Sequence, residues 1–93
     1  MPYKITPYTK QRANKLGVII KPSIVKGKKI DVFNKKGEKL ASIGALGMGD
    51  YPTFMQIKGK EYAEVRRRLY KDRHEKDRHK RGSAGFYADQ LLW

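Results

Sequence analysis

Apolar and polar residues alternate along Lys28-Lys29-Ile30-Asp31-Val32-Phe33, and the alternation resumes after Asn34-Lys35-Lys36-Gly37 in Glu38-Lys39-Leu40-Ala41-Ser42-Ile43. A period of two on both sides of a cluster of turn residues predicts a β-hairpin. Upstream, residues 18–21 (Val-Ile-Ile-Lys) read as an edge strand stopped by Pro22, because proline has no N–H to give to a ladder. Residues 23–27 form a loop. At the N-terminal end, Thr6 and Pro7 stand ahead of residues 8–16, and Gly17 follows them. A cap, a proline in the first turn and a glycine terminator predict a short helix. It is too brief to stand alone, so Ala13 and Leu16 must dock while Lys10, Arg12 and Lys15 face outward.

The pattern changes after Ile43. Gly44-Ala45-Leu46-Gly47-Met48-Gly49 is a glycine-rich connection, and Asp50 caps a helix begun by Tyr51-Pro52-Thr53-Phe54-Met55. Tyr51, Phe54 and Met55 are core candidates. Gly59 marks a break. Beyond it Tyr62, Val65 and Leu69 fall on one face at helical spacing, and the helix is expected to run on through residues 66–81 to a stop at Gly82. Ser83 caps a last short segment carrying Phe86, Tyr87, Leu91, Leu92 and Trp93, which either close the domain's own core or dock another subunit. The expected fold is α+β, with residues 1–93 as one small domain. A β-hairpin or three-stranded antiparallel sheet packs with helices, and one long basic helix occupies the C-terminal half.

Charge turns this outline toward a partner. The 93 residues include 22 Lys/Arg against 9 Asp/Glu, a net charge of +13. The excess is +9 over residues 1–40 and +6 over residues 66–81, with −1 in each of the two remaining stretches. Self-repulsion of this size is commonly offset by a polyanion, nucleic acid first. Residues 66–81 hold nine Lys/Arg and three carboxylates, with no apolar residue after Tyr70. They read as a helix that leaves its domain and presents cations. The candidate nucleic-acid contacts are Arg66, Arg67, Arg68, Lys71, Arg73, Lys76, Arg78, Lys80 and Arg81, followed by Lys28, Lys29, Lys35 and Lys36 on the hairpin. Edge lysines also blunt strand-to-strand aggregation, and both readings of the hairpin lysines stay open. Pairs four apart, Asp72 with Lys76, Glu75 with His79 and Asp77 with Arg81, would neutralise part of the helix.

Other chemistries are weaker. The glycines of residues 44–49 do not match a Walker loop or a dinucleotide fingerprint. His74 and His79 stand five apart, whereas a helical metal site wants three or four, so no metal or cofactor is expected. No nucleophile or base spacing points to catalysis, and the chain reads as no enzyme. Six tyrosines lie among the bases, but no RNP-like or OB-like pattern organises them for base stacking. Cysteine is absent, the start lacks the apolar block of a signal peptide, and no run reaches the ~20 apolar residues of a membrane span. A soluble protein inside a cell or a virus is the expectation, with no membrane partner.

Several strings carry a resemblance. Lys29-Ile30-Asp31-Val32-Phe33, Ala41-Ser42-Ile43-Gly44-Ala45, Asp50-Tyr51-Pro52-Thr53, Arg67-Arg68-Leu69-Tyr70 with Arg73-His74, and Gly82-Ser83-Ala84-Gly85-Phe86-Tyr87-Ala88-Asp89 with Leu92-Trp93 occur in this order. Together they resemble a family of short basic proteins encoded by large double-stranded DNA viruses of algae and protists. The likeness spans most of the chain and implies a viral setting, in the virion or the interior of an infected cell, without carrying over a site. Two roles then compete. One is sequence-independent binding and packaging of viral DNA. The other is a minor virion component whose basic surface meets acidic capsid proteins, with self-association open in both.

Overall fold

The computed structural model describes residues 3–93. Seven elements follow in order: α1 (Pro7–Leu16), β1 (Ile19–Pro22), β2 (Lys28–Phe33), β3 (Lys39–Ala45), α2 (Tyr51–Lys58), α3 (Lys60–Arg73) and α4 (Ala84–Leu92). The three strands form one antiparallel sheet in the order β1-β2-β3, so the fold is α+β as expected.

Local chemistry explains most boundaries. The Thr6 hydroxyl accepts the Thr9 amide at 3.3 Å, Pro7 opens α1, and Gly17 ends it in the left-handed region. Pro22 is the last residue of β1, on the sheet edge where its missing N–H costs nothing. At the hairpin turn the Asn34 side-chain oxygen accepts the amides of Lys36 and Glu38 at 3.0 and 2.9 Å. That local alternative to the ladder is what makes asparagine a turn former. The Asp50 and Ser83 side chains cap α2 and α4 in the same way.

The register puts Ile30 and Val32 of β2 on the same face as Ile43, Ala41 and Ile20 of their neighbours. That face meets α4, and with Ala13, Tyr51, Ala63, Tyr87, Leu91, Leu92 and Trp93 it forms the core. Ile30, Val32 and Leu91 have no exposed surface, and Leu92 only 1%. Burying a leucine side chain contributes about 1.5–3 kcal/mol. Trp93 stacks on Tyr70 with ring centres 4.4 Å apart and planes 9° from parallel, and the Tyr8 hydroxyl donates to its carbonyl at 3.3 Å. The C-terminal segment therefore closes the core of its own molecule. Tyr87, Leu91, Leu92 and Trp93 are at most 9% exposed, and Phe86 stays half-buried at the rim.

Two further expectations fail. The long basic helix stops at Arg73, and residues 74–82 form successive turns, closed by bonds such as the Asp77 and Arg78 amides to the His74 carbonyl. This stretch offers no apolar side chain to dock a helix, and the buried Asp89 draws Arg78 back toward α4 at 3.7 Å. The chain therefore folds over its own domain. Secondly, Tyr62, Val65 and Leu69 are exposed, as is Met55. The inward face of α3 is made instead by Ala63, Arg66, Arg67 and Tyr70, which share a face turned about 120° round the helix from that row. The Arg66 guanidinium lies over the Phe54 ring at 5.6 Å and that of Arg67 over Tyr51 at 4.5 Å. A small residue lets α2 approach, and two arginine stems serve as packing.

Candidate nucleic-acid interface

The thirteen candidate cations separate into those tied down within the domain and those left on its surface. Lys29 is the clearest departure from expectation. Its ammonium is 2.8 Å from Asp50 Oδ2, and the two side chains are 4% and 0% exposed. The Tyr3 hydroxyl donates to the same oxygen at 2.6 Å, while Asp50 Oδ1 accepts the Thr53 amide at 3.0 Å. Burial alone would raise the Asp50 pKa. Hydrogen bonds from Lys29, Thr53 and Tyr3 outweigh that and hold it below the ordinary carboxylate value. Burial, then the Asp50 carboxylate, push the Tyr3 phenol well above its usual value. Lys29 thus balances a buried helix cap and is not free on the surface. The alternation reads correctly as a strand, but this end of β2 is covered on both faces.

Asp89 plays the corresponding role in α4. It is 1% exposed, takes the Lys71 ammonium at 2.7 Å, and lies 3.7 Å from Arg78, which also pairs with Glu75 at 2.9 Å. Lys71 and Arg78 are therefore committed to holding α3 and the turn segment against α4. Arg67 sits 3.7 Å from Glu64. Of the pairs expected along a continuous helix, Glu75 with His79 forms at 2.6 Å. Asp72 with Lys76 and Asp77 with Arg81 do not come within 4 Å.

Eight candidates remain exposed with no carboxylate within ion-pair distance among the described residues: Lys28, Lys35, Lys36, Arg68, Arg73, Lys76, Lys80 and Arg81. Their placement is uneven. Lys35 and Lys36 occupy the hairpin tip, whereas Lys28 starts β2 at the other end, five residues or about 17 Å away at ~3.3 Å per residue. Lys28 instead meets Lys80 across an open groove of about 500 Å³, which is also lined by Ser42, Tyr70, His74, Ser83 and one acid, Asp77, 4.0 Å from His74. Its inner end shares Gly44, Tyr70, His74 and Ala88 with a smaller cavity of about 240 Å³, lined by Arg66, Arg73, Phe54 and Trp93. Tertiary structure thus joins the start of β2, the end of α3 and the following turns into one basic groove. The hairpin tip is a separate basic point.

A third buried carboxylate lies on the outer face of the sheet. Asp31 accepts the Ser23 and Ser42 hydroxyls at 2.5 and 2.7 Å and the Ile24 amide at 3.2 Å, with Lys39 at 3.5 Å. Covering by these neighbours raises its pKa, but their hydrogen bonds more than reverse that and leave it lowered. The anchoring roles of Asp31 and Asp89, and that of Asp50 beyond its capping of α2, were not anticipated. A usable signal exists: in so basic a chain each acid is scarce, and Asp89 is the sole charged residue of the apolar segment 82–93.

Among the described residues no three potential metal ligands cluster, and no helix is long and apolar enough to cross a membrane. No known family, characterised protein or solved structure matches the chain.

Proposed function

We propose that this protein binds DNA without sequence preference and without catalysis, packaging or organising the genome of a large DNA virus in the virion or the infected cell. The observation that carries the reading is how the charge is disposed. The three buried acids are each matched by a cation of their own molecule, and the unmatched cations stand outside, three of them (Lys28, Arg73 and Lys80) lining the groove and the cavity that adjoins it. Contacts from lysine and arginine to phosphates position a protein on nucleic acid without reading bases.

Fluorescence anisotropy with mixed-sequence duplex DNA over a salt series tests this, beside heparin at equal charge. Binding should fall steeply with salt and favour DNA. Replacing Lys28, Arg73 and Lys80 together by glutamine should flatten the slope of log affinity against log salt by about 2.7, at ~0.9 per phosphate contact. An unchanged slope removes the groove from the interface, and preference for heparin removes DNA. A second reading, a minor virion component that contacts acidic protein, is favoured by the exposed row Tyr62, Val65 and Leu69 on α3. In that case the triple variant would bind DNA as the parent does, and mutation of the row would abolish co-assembly.

A further inference from the structure

From the cavity beside α3 we infer a site for the terminal phosphate monoester of a nucleic-acid strand, at the closed end of the basic groove. This rests on the nucleic-acid reading and adds to it that strand ends are distinguished from strand interiors.

The cavity is walled by α3 on one side and by the end of β3 and its following loop on the other, with Leu92 and Trp93 at its base. Arg66 and Arg73 both line it, seven residues or two helical turns apart on α3. Neither has a carboxylate within 4 Å among the described residues. Arg66 is set by packing on Phe54 instead of by a counter-ion. Asp50 is the single acid of the lining, and both its oxygens are already engaged by Lys29, Tyr3 and Thr53. The Arg66 guanidinium, set by packing, and the exposed Arg73 guanidinium on the same helix make a receptor for an anion beside a compensated acid, and the planar fork of arginine suits phosphate oxygens.

Size selects the form of the phosphate. About 240 Å³ lies below the ~300–1,000 Å³ of sites for drug-sized ligands, so the cavity holds a phosphate with part of one attached nucleotide. An internal phosphodiester would bring a nucleotide on each side, and a duplex is far too wide. A terminal monoester brings one neighbour only. Its strand can leave along the adjoining groove past His74 toward Lys28 and Lys80.

Trp93 is the protein's only tryptophan and lines the cavity, so its fluorescence reports occupancy directly. The experiment titrates the full chain with dTMP and with thymidine. It then compares single-stranded oligothymidylate carrying a 5′-phosphate, a 3′-phosphate or hydroxyls at both ends. The expected result is a saturable Trp93 response to dTMP and none to thymidine, with one phosphorylated end bound about tenfold more tightly than the hydroxyl form, the scale of one or two charge-assisted hydrogen bonds. Arg73→Gln, an exposed position, should remove both effects while leaving the thermal midpoint unchanged. Arg66→Lys, which keeps the charge but loses the fork, should reduce them. Equal affinity for all three oligonucleotides with a silent Trp93 overturns the end-binding site, and salt-dependent duplex binding would then stand by itself. A Trp93 response to dTMP that survives Arg73→Gln also overturns it. A response to dTMP with no binding to any polynucleotide would leave a phosphate site and overturn its assignment to strand ends.

Discussion

Lys29→Ala separates a structural lysine from a phosphate-binding one. In the folded protein the substitution leaves the Asp50 carboxylate fully buried with its closest cation gone, while the Tyr3 hydroxyl and the Thr53 amide still hold it in place. Breaking a buried pair by removing one partner costs about 3–5 kcal/mol, because the remaining charge is uncompensated. For a domain of this length the whole stability is about 5–14 kcal/mol at ~0.05–0.15 kcal/mol per residue, so the loss is a large share of it. At about 4–8 °C per kcal/mol the thermal midpoint should fall by roughly 12–40 °C. Asp50→Asn in the same background removes the stranded charge and keeps a side-chain oxygen for the Thr53 amide, so the double variant should recover part of the loss. Circular dichroism melts of the parent, both single variants and the double variant give the coupling energy. DNA affinity of Lys29→Ala, measured well below its midpoint, should match the parent to within about a factor of two. If instead the midpoint moves by less than a degree or two and the salt slope flattens by about one unit, Lys29 is a phosphate ligand and the buried-pair argument is wrong.

The pH dependence has a defined sign. Asp31 and Asp50 have folded pKa values below the ordinary 3.8, so their stabilisation is complete above that value and is lost as pH falls below it. Tyr3 is raised above 10.0, so its contribution is lost as pH climbs past 10. Urea midpoints should be flat from pH 5 to 9 and fall outside that window, and a midpoint that already drops between pH 7 and 5 would contradict this. Gly44 has φ +76°, and a methyl group there would lie 2.9 Å from both Leu92 Cδ1 and Lys29 Cδ. Gly44→Ala should therefore cost about 2–4 kcal/mol in denaturant unfolding, and a neutral result would mean the end of β3 is not held against α4. Asp89→Asn takes the anion from Lys71 and Arg78, so trypsin should cleave within residues 74–82 several-fold faster, and unaltered proteolysis would show that other contacts hold the turns.

Much of the fold was legible because its signals are local. The Thr6, Asp50 and Ser83 caps, the glycine stops at Gly17 and Gly59, and the alternation around Asn34-Lys35-Lys36-Gly37 act within a few residues, and each element formed where they place it. Net charge and its uneven distribution are likewise properties of composition, so a basic surface follows without coordinates. Which cations reach that surface is a different matter, because it depends on acids far away in the chain. Lys29 is withdrawn by Asp50, 21 residues on, and Lys71 by Asp89, 18 residues on. Helical spacing could show that Tyr62, Val65 and Leu69 share a face, yet it could not show that arginine stems and an alanine would take the inward one. The end of α3 at Arg73 has the same origin: nothing local forbids the helix from continuing, but a charged segment gains more by folding back onto Asp89 than by extending into water. Local hydrogen bonding and composition are written in order along the chain. Charge compensation and the choice of buried face are settled only when distant segments compete for the same small core.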